Sequence, residues 1–129
     1  MRAILIDAYH QKMEEIVLPA EAAIFHRHIK QLLNTEAIDT IHPNQLLTIF
    51  FDPLAFAQAG IPGFHSGLMA AFPFFGNAIC VGRNPITYQE EDLPRGFTID
   101  HLDINWYNQE ASEECRKKAM QIGIDNYKS

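Results

Sequence analysis

Between Pro53 and Gly82 the chain carries no Asp, Glu, Lys or Arg, and no other feature constrains its fold as tightly. Phe56, Phe64, Phe72, Phe74 and Phe75 stand in this stretch, separated by Gly60, Pro62, Gly63, Gly67, Pro73 and Gly76. A membrane-spanning helix needs roughly 20 consecutive, predominantly apolar residues. The glycines and prolines leave no such run, so no membrane partner is expected. The segment reads instead as a long Phe/Gly-rich loop that folds back over a sheet. It ends in a strand over 78–81, stopped by Gly82.

The flanking sequence supplies the sheet. Residues 2–7 form an apolar, β-branched run that reads as a strand, and residues 14–18 form a second that closes a hairpin with it. Residues 45–51 are the clearest central strand, and Asp52-Pro53 ends it because proline cannot donate to a ladder. Pro19 is expected at the first position of a helix, where its missing N–H has no intrahelical partner. Ala22, Phe25, Ile29, Leu32 and Leu33 recur on one face of that helix, and Asn34-Thr35 ends it. Residues 36–43 and 83–96 read as connectors. Residues 97–106 alternate in part and fit a strand or a turn of helix beginning at Ile99. Asn108 is a good N-cap for a last helix over about 109–122, with Ala111, Cys115, Ala119 and Ile122 inward and Gly123 as its stop. Glu113 with Lys117 and Glu114 with Lys118 stand at the favourable i,i+4 spacing.

A chain of 129 residues is one ordinary domain, 1–129, long enough to bury roughly two-thirds of its unfolded surface without staples. There are no repeats and no linker. Cys80 lies in an apolar run and Cys115 on the inward face of the last helix, so they form no disulfide framework. That argues for a reducing, cytoplasmic setting. The N-terminal apolar stretch stops at Asp7, too early for a signal peptide. A formal charge of −6 argues against binding to a phosphate backbone, which needs a basic surface. The acids are denser after Tyr88 (Glu90, Glu91, Asp92, Asp100, Asp103, Glu110, Glu113, Glu114), as in a decoy of nucleic acid. Solvated surface explains them better, because several alternate with bases on a helix.

Several stretches together resemble the domain-of-unknown-function family numbered 3846, small proteins of bacteria, plasmids and phages. They are Ala3-Ile4-Leu5-Ile6-Asp7, Ile29-Lys30-Gln31-Leu32-Leu33, Leu47-Thr48-Ile49-Phe50-Phe51-Asp52 and Asp92-Leu93-Pro94-Arg95-Gly96-Phe97-Thr98. The most specific is Phe75-Gly76-Asn77-Ala78-Ile79-Cys80-Val81-Gly82. The resemblance runs in order over about 3–107 and departs from the family pattern in the long Phe-rich insert. It implies a small α+β domain of bacterial or mobile-element origin, and it carries over no catalytic residue.

No phosphate loop, dinucleotide fingerprint, C-x-x-C or nucleophile elbow is present. His26 and His28 lie about 200° apart around a helix and cannot share a face, so no metal site and no cofactor is expected. His101 and Asp103 would share a face if 97–106 were one strand, where the carboxylate would orient the imidazole as a general base. His65, in the Gly-rich loop, is a second option for catalysis or contact. Asp7 and Asp52 end two strands, and carboxylates there can meet to share a proton or a metal. Strand termination is the simpler account of both.

The Phe-rich segment is the stronger candidate. Phe56, Phe64, Phe72, Phe74 and Phe75 would line an apolar pocket, with His65, Asn77 or Arg83 as polar anchors, or an interface such as that of a homodimer. The competing reading is that the rings complete the core. The fold expected is α+β, a small mixed or mostly antiparallel sheet of four or five strands with two main helices on one face. The function expected is binding of a small molecule or protein. The alternatives are a hydrolase or transferase at His101 and Asp103, or an acidic decoy.

Overall fold

The computed structural model describes residues 1–69 and 72–128, the last seven by backbone alone. Among these the order is β1 (Arg2–Asp7), β2 (Lys12–Val17), α1 (Ala22–Leu33), β3 (Asp39–Ile41), β4 (Leu47–Phe51), a 3-10 turn (Ala55–Ala57) and β5 (Gly63–Ser66). Then follow β6 (Phe74–Phe75), β7 (Ala78–Arg83), β8 (Glu90–Glu91), a second 3-10 turn (Ile99–Leu102), β9 (Ile104–Trp106) and α2 (Gln109–Lys128). The fold is α+β. A six-stranded sheet runs β2-β1-β7-β4-β3, with β8 also paired to β7, and a three-stranded sheet runs β6-β5-β9. Every pairing is antiparallel.

The large sheet is covered on both faces. Ala3, Phe50, Ile79 and Val81 point to one side and meet Phe25, Ile29 and Leu33 of α1. Ile4, Ile6, Leu47, Ile49, Ala78 and Cys80 point to the other and meet Phe64, Phe74, Leu93 and Leu102. The two sets alternate along each strand, as pleating demands. Residues 78–81 show no polar alternation because β7 is central and buried on both faces. Burial drives the Cys80 thiol up to about 12, so it behaves as a small apolar side chain.

Several expectations change. The Phe-rich stretch is not loop throughout: residues 63–66 and 74–75 pair as β5 and β6, and β9 completes their sheet. The helices do not share a face. α1 covers one side of the large sheet, whereas α2 packs on Ala55–Ala57 and β5, because the small sheet already occupies the second face. Pro19 lies outside α1, which starts at Ala22 with Glu21 as an extended N-cap. The connectors contribute β3, which pairs with β4, and β8, which pairs with β7. Residues 97–106 are both a 3-10 turn and a strand. Gly123 does not stop α2, whose backbone stays helical to Lys128; the expected inward position of Ile122 lies outside the described side chains.

Candidate functional site

The Phe-rich segment divides into two groups of rings. Phe64 and Phe74 are fully buried and stacked, with centroids 5.2 Å apart and planes 15° apart. Phe51 and Trp106 pack edge-on against this pair, so these two rings are core. Phe56 and Phe72, both half-buried, instead line an apolar cleft of about 230 Å³ with the buried Phe75 and with Phe51, Asp52, Pro53, Pro73 and Ala119.

The expected polar anchors do not converge on that cleft. Asn77 accepts the Ala8 N–H at 2.9 Å and ties β7 to the end of β1. Arg83 stands at the opposite end of β7, its guanidinium 4.8 Å from the Tyr88 ring and its Nε buried without a hydrogen bond among the described residues. His65 Nδ1 lies 3.2 Å from the Tyr107 hydroxyl. Burial and the neighbouring Cys115 thiol push Tyr107 up to about 12, so this phenol keeps its proton at neutral pH.

His101 and Asp103 are not the pair the sequence suggested. His101 belongs to the 3-10 turn, where its Nδ1 accepts the Thr98 N–H at 3.0 Å in a capping box, and its ring stacks on Phe97. Asp103 closes the turn with φ of 49° and packs its carboxylate against Gly67. No hydrogen bond joins the two among the described residues. The single strand that would have aligned them does not exist, because the chain bends at Asp103.

Asp7 and Asp52 do reach the same end of the sheet, since Ile6 and Phe51 both pair with Ala78. They do not share a proton there. Asp52 Oδ1 accepts the Leu54 N–H at 2.9 Å, and both Asp7 oxygens serve His10. Among the described residues no group of three or more His, Cys, Asp and Glu is placed to hold a metal.

A second, more polar cleft of about 560 Å³ opens beside Asp7. Residues 8–11, 60–62, 107–109, 112 and 113 form its walls. The start of α2 holds the middle wall in place: Ser112 Oγ accepts the Gly63 N–H at 3.0 Å and Glu113 Oε1 accepts the Gly60 N–H at 2.9 Å. That backbone hydrogen bond, then the Arg116 side chain, hold the Glu113 carboxyl below its ordinary value. Asn108 caps α2 as expected, its Oδ1 accepting the Ala111 N–H at 2.7 Å. Sequence reasoning passed over His10, Tyr9 and Glu113 as site residues. The available signal was the Asp7-x-x-His10 spacing at a strand end, which a four-residue turn brings together.

Three of the late acids have partners within the fold. Asp92 accepts the Arg2 N–H at 2.6 Å, Glu113 pairs with Arg116 at 2.9 Å, and Glu114 lies 3.7 Å from Lys118. No protein-family model, curated protein or solved structure matches the chain. No helix among the described residues is long and apolar enough to cross a membrane.

Proposed function

We propose that this chain is a small binding protein whose apolar cleft, lined by Phe56, Phe72 and Phe75, takes a flat or aromatic group. The carrying observation is the division of the rings. Phe64 and Phe74 are enclosed by the core, whereas Phe56 and Phe72 are only half-buried and, with the buried Phe75, line one cleft beside Pro53 and Pro73. At about 230 Å³ the cleft is smaller than a typical drug-sized pocket, and suits one ring or one side chain. Aromatic walls favour edge or offset stacking with such a group.

Membership of family 3846, a bacterial or phage origin and a cytoplasmic setting belong to the same proposal. The family and origin rest on the segment Phe75–Gly82, whose two glycines have distinct structural tasks, and the setting rests on the two free cysteines, Cys80 and Cys115. Gly76 takes φ of +77°, and a Cβ at Gly82 would strike the Asp92 backbone. Both tasks are structural, so the segment carries no function, and the function rests on the cleft.

Titration with indole, followed by amide NMR, tests the reading. Shifts should gather at Phe56, Phe72, Phe75 and Ala119, and Phe56→Ala should weaken binding about tenfold, the loss of roughly 1.4 kcal/mol of ring contact. Native mass spectrometry of the purified protein separates the occupants: a bound small molecule supports a ligand site, and a dimer broken by Phe56→Ala supports a protein interface. Unshifted amides together with an empty monomer would overturn the proposal.

A further inference from the structure

Asp7 and His10 form a unit that turn geometry only half explains. Asp7 Oδ1 accepts the His10 backbone N–H at 3.1 Å, the ordinary bond of a side-chain-capped turn. The second oxygen lies 2.8 Å from His10 Nδ1, a bond the turn does not require. The two side chains differ sharply in exposure, 12% for Asp7 and 73% for His10. A sheltered carboxylate therefore holds an imidazole that faces water.

This fixes the tautomer. An ionised carboxylate only accepts, so Nδ1 carries the proton and Nε2 keeps its lone pair. His10 lines the cleft of about 560 Å³ opposite Asn108, Gln109, Ser112 and Glu113. Ser112 is buried, its Oγ accepts the Gly63 N–H, and no hydrogen bond joins it to His10 among the described residues, which leaves water as the nucleophile. Asn108 uses its Oδ1 on the helix cap, and its amide NH2 remains to donate alongside that of Gln109. The cleft wall carries one carboxylate, Glu113, already paired with Arg116, and one imidazole, and among the described residues no Lys or Arg lines it to hold an anionic substrate such as a phosphoester.

We infer that His10 is a general base, positioned by Asp7, for hydrolysis of a small uncharged acyl ester in this cleft, a site separate from the apolar one. Water attacks the acyl carbon while His10 Nε2 takes its proton. The tetrahedral intermediate collapses, the acyl C–O bond breaks, and the Nε2 proton passes to the departing alkoxide. The products are a carboxylic acid and an alcohol, and His10 is regenerated.

Two measurements test this independently. The first reads the tautomer by ¹⁵N chemical shifts of His10 in the wild type and in Asp7→Asn. Asparagine still accepts the His10 N–H through its carbonyl oxygen, so the turn survives, but its amide can only donate to Nδ1. The proton should therefore move from Nδ1 to Nε2. The second follows p-nitrophenyl acetate. Hydrolysis should fall about 100-fold in His10→Gln and at least about tenfold in Asp7→Asn, persist in His26→Gln on the α1 side, and slow in D2O. An Nε2–H tautomer in the wild type, full activity in His10→Gln, or a rate indifferent to D2O would each overturn the assignment.

Discussion

The two faces of the large sheet are covered by different means. On one, α1 supplies Phe25, Ile29 and Leu33 from a single helix of 12 residues. On the other, the cover is assembled from β5, β6, β9, Leu93 and the turn at Leu102, pieces drawn from across residues 63–106. A local helix can present its apolar face as soon as it forms. The second cover exists only when distant strands pair, and its rings touch one another as much as they touch the sheet. The first cover is therefore one locally formed element docking on the sheet, and the second is cooperative. Both candidate clefts lie on the second side, where residues 51–62, 72–75 and the start of α2 meet.

Breaking the ring stack should cost most. Phe74→Ala removes a ring in contact with Phe51, Phe64 and Phe72, and should lower stability by about 3–5 kcal/mol in urea denaturation. Amide exchange should rise through β5, β6 and β9 together. On the helical face, Ile29→Ala should cost about 2–4 kcal/mol, with faster exchange confined to α1 and its sheet contacts. If Ile29→Ala loosens the small sheet as much as Phe74→Ala does, the two faces are not independent.

Gly82→Ala probes the seam between them. Its Cβ would run into the Asp92 carbonyl, so β8 and the 91–93 segment must shift at a cost of about 1–3 kcal/mol. Leu93, part of the second face, should register the change by NMR before any residue of α1 does.

The smallest effect concerns Glu113. Its folded carboxyl titrates below the ordinary value of 4.5, so its contribution is present above that value and is lost as pH falls through the lower, folded value. Wild type should melt slightly above Glu113→Gln at pH 7, and the difference should shrink at pH 3. A gap unchanged by acid would remove Glu113 as the charged clasp on Gly60.

Legibility followed the same division. The β1–β2 hairpin, α1, β4 and β7 were readable because hydrophobic period and turn residues act over a few positions. Asn34 was readable as a helix end, and it takes φ of 53° there. The clefts were less so. Asp7 was visible as a strand end, but its partner His10 emerged only once the turn was built. Phe56 and Phe64 look alike in sequence, yet one edges a cleft and the other is core. The His101–Asp103 pairing failed because a two-residue period was assumed across a chain that bends at Asp103.

By itself, the sequence determined an α+β chain without a membrane-length apolar helix in its Phe-rich stretch, with an amphipathic first helix and a clear central strand. These follow from composition and short-range periodicity. Tertiary structure alone decided that the uncharged segment forms a second sheet, which rings fill the space between the sheets, and that Asp7 holds His10 at the mouth of a polar cleft. Such outcomes depend on pairings between residues tens of positions apart, such as Phe64 with Trp106 and Gly63 with Ser112. Local propensity cannot specify them, because each partner is stabilised only when the other is already in place.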